Sequence, residues 1–130
     1  MPKRIVVIDD SELVLAIASE ALEQAGFEVF TAGSGIEANS IIYSPMRRPD
    51  LILLDVMMPM LNGDRKVRLL KEREASRHIP VLLMSTKPAE ELEGLARSSG
   101  ADGFLRKPFT ALSLTRRVRQ ALAETARGAA

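Results

Sequence analysis

Acidic residues directly follow two of the apolar runs in this sequence, and a lysine follows another. Asp9 and Asp10 come after the first run, and Asp55 follows a second. Lys107 lies just beyond a short run that ends near residue 106. Converging carboxylates repel one another, so such a cluster persists when a cation lies in it, and an all-oxygen ligand set favours Mg²⁺. A carboxylate between that ion and an ammonium can act as a nucleophile toward phosphorus.

Apolar runs and helical patterns alternate five times along the chain. The predicted strands are 5–8, 28–32, 51–54, 81–84 and 103–106, the predicted helices are 12–24, 36–43, 64–74, 88–99 and 110–123, and a loop is predicted over 59–63. This alternation predicts a parallel sheet with helices on both faces and right-handed crossovers. Ligands of open α/β sheets bind beyond the carboxyl ends of the strands. The acidic residues, Ser85 and Lys107 are therefore expected at one edge of the sheet.

The composition excludes several other classes of site. The chain has 130 residues, which suits one domain, and contains no Cys and a single His, so disulfides, thiolate sites and multi-His metal sites are impossible. A net charge of +1 argues against a dedicated nucleic-acid binder. The first apolar run is too short for a signal peptide or a membrane span, so we expect a cytoplasmic protein with no membrane insertion.

These motifs resemble the receiver domains of bacterial two-component response regulators, including the single-domain chemotaxis type. The resemblance covers about residues 3–122 and is carried by residues 8–10, by 54–59 with Gly63, by Ser85 and by 100–109. It implies a flavodoxin-like doubly wound (βα)5 parallel sheet with strand order 2-1-3-4-5. It also implies one receiver domain over 1–124, which leaves 125–130 as a short flexible tail.

The resemblance implies a role for each polar residue at the first and third strand ends. Asp55 matches the phosphoacceptor. Asp9 and Asp10 match the acidic pair that holds Mg²⁺ together with Asp55. Met57 matches the position whose backbone carbonyl completes the ion's shell.

A second group of residues matches the family positions that respond to the phosphoryl group. Ser85 matches the hydroxyl that turns toward that group, and Lys107 matches the lysine that pairs with its oxygens. Phe104 matches the aromatic residue that changes rotamer. The peptide bond between Lys107 and Pro108 is cis in the family, which only an X–Pro bond makes cheap.

The implied function is a phosphorylation-dependent switch in a phosphorelay. The expected partners are a sensor histidine kinase or phosphotransfer protein and a downstream protein, which would bind the surface of the fourth helix, fifth strand and fifth helix. We expect no direct contact with nucleic acid. Such a domain assists its own phosphorylation and slow dephosphorylation and is not an enzyme in the usual sense.

Several positions depart from the common family pattern. Thr86, Met57 and Lys87 flank the site, and we expect them to change the lifetime of the phosphoryl group. Asp64 and Lys66 replace residues that are often apolar, which predicts that the third helix begins later or packs more loosely. The basic residues of the third and last helices are predicted to be solvated.

Other interpretations weigh less. Taken singly, each acid or hydroxyl could be a helix or turn cap. A haloacid-dehalogenase phosphatase needs an Asp where Met57 stands, and a flavodoxin needs a phosphate loop where Asp9 and Asp10 stand. A protein-interaction module that works without phosphate is the nearest alternative. The kinase, the target, the oligomeric state and membership of a longer chain stay open, although the short tail slightly favours a stand-alone protein.

Overall fold

The computed structural model describes residues 2–46, 48–58 and 61–129. Their elements are β1 (Arg4–Ile8), α1 (Glu12–Gln24), β2 (Glu28–Ala32), α2 (Gly35–Ile42), β3 (Leu51–Asp55), β4 (Met57–Met58), β5 (Leu61–Asn62), α3 (Gly63–Glu72), β6 (Val81–Ser85), α4 (Ala89–Ser99), β7 (Gly103–Arg106) and α5 (Ala111–Ala129). Most predicted bounds agree with these within two residues, which is the usual uncertainty of helix and strand ends.

The main sheet has five parallel strands in the order β2-β1-β3-β6-β7. This is the predicted order 2-1-3-4-5 once β4 and β5 are left out of the count, so the flavodoxin-like fold is confirmed. The two short strands pair with each other in an antiparallel sense, Met57 with Asn62 and Met58 with Leu61. The sequence predicts only a loop here, because a two-residue pairing leaves no periodic pattern to detect.

Two apolar layers enclose the central strands. Side chains alternate across a strand, so Ile5 and Val7 pack on the layer that contains Leu22 and Val118 of α1 and α5. Val6 and Ile8 face the opposite layer, which α2, α3 and α4 supply. Strands that are buried on both faces consist of consecutive apolar residues, and the sequence therefore predicts these strands directly.

Capping residues account for one end of each of three helices. Ser11 caps α1 by accepting a hydrogen bond from the Val14 N–H at 3.3 Å. Gly100 ends α4 with φ 88°, a left-handed conformation that glycine adopts at little cost. Thr110 and Ser113 cap α5 reciprocally, each side chain accepting from the other's backbone N–H at 3.0 Å.

Helix α3 begins at Gly63, within one residue of the predicted start, and Asn62 caps it by accepting from the Arg65 N–H. A later start or looser packing than is usual in the family stays a prediction. The predicted end of the last helix is wrong. Helix α5 continues to Ala129, so residues 125–129 are helical where the sequence predicts a tail. Ala126, Arg127 and Ala129 of this segment are good helix formers, which favours the extension.

None of the helices in the described ranges combines the length and the apolar character that crossing a membrane requires.

Candidate functional site

The carboxyl ends of neighbouring strands bring together residues that lie far apart in sequence. Asp9 directly follows β1, Asp55 ends β3, Ser85 ends β6 and Lys107 follows β7. Strands β1, β3 and β6 are adjacent, and β7 is next to β6. The four side chains therefore share the edge of the sheet that the sequence predicts for them.

Three carboxylates form a compact cluster at this edge. Asp9, Asp10 and Asp55 each offer an oxygen atom, and these atoms lie within 4.8 Å of one another. Asp9 is fully buried, Asp55 is 4% exposed, and Asp10 lies open to solvent. Protein therefore covers one side of the cluster, and the other side is accessible to solvent. Hard oxygen donors with an open side fit Mg²⁺, which keeps part of its water shell.

Lys107 is the cation of the cluster. Its Nζ donates to Asp9 Oδ2 at 2.5 Å and to Asp55 Oδ1 at 3.2 Å, and its side chain is 15% exposed. Burial alone would lower the pKa of Lys107, but its hydrogen bond to Asp9 and the charges of both carboxylates outweigh burial and raise that pKa. The ammonium therefore keeps its charge at neutral pH.

The pKa of Asp55 is raised. Burial is the largest cause and the negative charge of Asp9 is the second, while Lys107 and the backbone N–H of Met57 oppose them. Lys107 is the one cation that the described residues place in contact with these three carboxylates, so acidic groups outnumber basic ones at the cluster. The ionised form of Asp55 is therefore disfavoured by its surroundings until a further positive charge arrives.

Ser85 lies buried at the end of β6, beside the cluster. Its Oγ accepts a hydrogen bond from the Lys87 N–H at 3.1 Å. The alternative role as a helix cap is wrong, because Pro88 occupies the N-cap position of α4. The neighbouring Thr86 is exposed, and Lys87 Nζ is paired with Glu91 at 3.1 Å.

The remaining predicted residues lie around this centre. Phe104 is half-buried and packs against the apolar layer under α2, α3 and α4. The peptide bond between Lys107 and Pro108 is cis. Met57 follows Asp55 by two residues, and its side chain is 65% exposed.

Comparison with known proteins identifies the family. The family model for the response regulator receiver domain matches residues 5–119. This chain belongs to that family. The receiver domain accounts for nearly all of the described fold, including the strands that carry the acidic cluster.

Curated relatives of this receiver domain include both short and long proteins. The polar-differentiation response regulator DivK of Brucella anthropi is 30% identical over 110 residues, covering 85% of this chain and 88% of DivK. The alkaline phosphatase synthesis transcriptional regulatory protein PhoP of Bacillus subtilis is 34% identical over 122 residues, covering 94% of this chain and 49% of PhoP. The chain thus spans about half the length of PhoP.

Solved structures share the same architecture. The chemotaxis response regulator CheY4 of Vibrio cholerae superposes with a TM-score of 0.86 at 29% identity, covering 93% of this chain and 99% of CheY4. A receiver from Clostridium thermocellum gives a TM-score of 0.82 at 31% identity over 94% of this chain and 95% of its own.

Several basic residues of the receiver domain differ from their sequence-based prediction, and Lys66 and Arg117 illustrate how. Lys66 is only 9% exposed, its Nζ donates to Asn39 Oδ1 on α2, and burial together with the nearby Arg73 charge lowers its pKa. It borders a groove of about 970 Å³ between α3 and α4. Arg117 of α5 donates to the Phe104 carbonyl. Charge runs predict solvated faces, and only the tertiary contacts show which of their residues depart from that prediction.

Proposed function

We propose that this receiver domain is a phosphorylation-dependent signalling switch in which Asp55 accepts a phosphoryl group from a histidine kinase or a phosphotransfer protein. The observation that carries the proposal is the position of Asp55. It is a nearly buried carboxylate that contacts the ammonium of Lys107 and shares a cluster with Asp9 and Asp10. A cap or a surface pair requires no such convergence.

The proposed transfer is a displacement at phosphorus. A carboxylate oxygen of Asp55 forms the new P–O bond while the P–N bond of the donor phosphohistidine breaks, and the electron pair of that bond stays on the imidazole nitrogen. Lys107 lies 3.2 Å from the attacking carboxylate, so its ammonium can pair with the incoming phosphoryl oxygens. Charge neutralisation and positioning supply most of the catalysis in reactions of this kind.

Asp9, Asp10 and Asp55 are the residues that would hold Mg²⁺, with the Met57 carbonyl as a further proposed ligand. The bound ion would supply the positive charge that the carboxylate cluster lacks. Asp9 also accepts from the Ser11 N–H at 2.9 Å and from Lys107, so the orientation of its carboxylate is fixed before any ion binds. Such preorganisation lowers the cost of assembling the site.

The signal would leave the site through Ser85 and Phe104. The phosphoryl group adds charge and strong acceptor oxygens at the end of β3. Ser85 Oγ now accepts from Lys87 and has its own hydroxyl proton to donate toward that group. Movement of the β6 end would open space for the half-buried Phe104 ring, which would alter the surface of α4, β7 and α5 that a downstream protein binds.

Three residues are proposed to set the lifetime of the phosphoryl group. Thr86 and Met57 are exposed next to the cluster, where they can limit the approach of water to phosphorus. Lys87 is held by Glu91 and adds positive charge at the rim. Hydrolysis that the domain assists on its own phosphoryl group would return it to the resting state, so the chemistry serves signalling and not the turnover of a substrate.

The test uses a small phosphodonor, Mg²⁺ and intact mass measurement. We expect the wild-type chain to gain one phosphoryl group, the Asp55→Asn variant to gain none, and chelation of Mg²⁺ to abolish the gain. Asp64→Asn is the matched control, because Asp64 is an acid near the cluster that pairs with Arg68 instead. A wild-type chain that stays unmodified would refute the switch and favour an interaction module that works without phosphate.

A further inference from the structure

An arginine of α5 lies across the last strand of the main sheet. Arg117 Nε donates to the Phe104 carbonyl oxygen at 3.2 Å, and its Nη1 reaches Gln120 Oε1 on the same helix at 3.5 Å. Among the described strands β7 is at the edge of the sheet and pairs with β6 alone. The helix therefore holds the backbone of this strand through a charged hydrogen bond.

Gly103 has no side chain, and this leaves room for the Arg117 guanidinium. A Cβ atom built at Gly103 would overlap Arg117 Nη2 and lie 3.3 Å from Arg117 Cζ. It would also lie 3.2 Å from Leu82 Cδ2. The guanidinium thus occupies the volume that any larger residue would need, so Gly103 and Arg117 form one packing unit directly before Phe104.

We infer that Arg117 is a positioning residue that holds Phe104 in its resting arrangement and so sets how readily the proposed switch responds. The inference rests on the proposed function, since it assigns a regulator to the same switch. Phe104 carries both the ring that is proposed to repack and the carbonyl that Arg117 holds. If repacking of the Phe104 ring moves the Phe104 backbone, the hydrogen bond from Arg117 to the Phe104 carbonyl must lengthen or break.

The contact is suited to biasing an equilibrium more than to holding the fold together. Arg117 is half-buried, so in a variant without the arginine water can donate to the Phe104 carbonyl in its place. Loss of the bond should therefore cost little stability. This bond is made in the arrangement of Phe104 that the structure shows, which is the resting one in the proposed switch. Its loss therefore changes the ratio of the two arrangements even where stability changes little.

The chain offers a closely matched control. Arg119, two residues further along α5, also donates to a backbone carbonyl, that of Ala25 at 3.4 Å. Ala25 lies after α1, away from β7. Removing Arg119 takes the same charge and the same type of hydrogen bond from the same helix without touching Phe104.

The experiment follows the Phe104 ring by fluorine NMR. The chain has four Phe residues, so a fluorinated phenylalanine gives four signals, and Phe104→Leu assigns one of them. We expect Arg117→Gln and Gly103→Ala to raise the population of the alternative Phe104 arrangement in the resting chain roughly five-fold, the effect of one hydrogen bond of ordinary net strength, since solvent partly replaces this one. Arg119→Gln should leave the signal as in the wild type.

Intact mass after treatment with phosphoramidate separates the two proposals. A wild-type chain that gains no phosphoryl group refutes the proposed function, whereas a Phe104 signal that is the same in wild type, Arg117→Gln and Gly103→Ala refutes the role of Arg117. Variants that lose stability but keep the wild-type signal give Arg117 a purely structural role and also overturn the inference. If Arg117→Gln does not fold, the Phe104 signal of Gly103→Ala alone decides whether the inference holds.

Discussion

The carboxylate of Asp55 lies where its charge is disfavoured. Burial and the neighbouring Asp9 raise its pKa, and one ammonium offsets this only in part. Groups that bind or react with a cationic or electrophilic partner are commonly held in such unfavourable surroundings, at some cost in stability. At the scale of single residues, the charge of Asp55 should therefore lower the free energy of unfolding of the chain when no metal is bound.

Asp55→Asn should stabilise the chain when divalent cations are absent. The variant removes a buried negative charge near Asp9, and we expect a gain of about 1 kcal/mol in the free energy of unfolding at pH 7. Because the folded-state pKa of Asp55 is raised, the cost of its charge is present above that pKa and disappears as the pH falls below the unfolded value. Urea denaturation at several pH values in chelator measures the difference.

The stabilisation by Asp55→Asn should therefore shrink toward acidic pH. Asp64→Asn, which removes an acid outside the cluster, should change the stability by less than about 0.5 kcal/mol at any of these pH values. A loss of stability in Asp55→Asn at pH 7 would mean that the contact with Lys107 outweighs burial and repulsion.

Lys107→Met should have the opposite effect. It leaves the fully buried Asp9 without its cation, and we expect a loss of about 2 kcal/mol, below the usual cost of breaking a buried pair because Lys107 is partly exposed. The folded-state pKa of Lys107 is raised, so its contribution is complete below the unfolded value and is lost as the pH rises through the folded value.

Lys87→Met provides the comparison for Lys107→Met. Lys87, which precedes α4, pairs with Glu91 at the surface, and exposed pairs typically contribute only about 0.2–1 kcal/mol. Equal losses in the two variants, measured by urea denaturation at pH 7, would contradict the buried network around Lys107.

At the scale of elements, the sequence predicts best where burial is complete. The strand β3 is a continuous apolar run that ends at Asp55, so the sequence predicts both the buried strand and its polar end. The short pairing of β4 with β5 and the extension of α5 to Ala129 were missed, since neither carries a periodic apolar pattern. The contact of Arg117 with Phe104 depends on how α5 packs on the sheet, which no local pattern encodes.

The link between β3 and α3 depends on a close approach of two backbone segments. A Cβ at Gly63 would lie 2.8 Å from Val56 Cα and 3.2 Å from the Asp55 carbonyl oxygen, and backbone atoms cannot yield cheaply. Gly63→Ala should therefore cost about 1–3 kcal/mol, as overpacking usually does, and should slow phosphorylation of Asp55 by displacing the segment behind it.

Gly94→Ala is the matched substitution for Gly63→Ala. Gly94 lies inside α4 with open space around its Cα, so the added methyl group should stabilise the helix by about 0.5–1 kcal/mol. Thermal unfolding and the rate of mass gain with a phosphodonor measure both variants. A Gly63→Ala variant as stable and as reactive as the wild type would show that the approach at Val56 can relax.

At the scale of the whole molecule, the sheet order creates the site. Residues 9, 55 and 107 meet because β1 and β3 are adjacent and β7 follows β6 at the same edge, so each helix crossover helps to place one side chain. Right-handed crossovers allow several strand orders, and it is the family resemblance that implies the order observed here. Folding of the chain and formation of the carboxylate cluster are therefore one event.

Binding of Mg²⁺ should consequently stabilise the whole fold, because the unfolded chain has no such cluster. We expect a gain of about 1.4 kcal/mol in unfolding free energy at ten times the dissociation constant, rising further with concentration. Asp9→Asn should lose most of this gain, whereas Asp64→Asn should keep it. Thermal unfolding with MgCl₂ or with NaCl at equal ionic strength measures the specific part, since screening acts equally in both salts. The same gain in wild type and Asp9→Asn would mean that the ion binds elsewhere and that the carboxylate cluster is not its site.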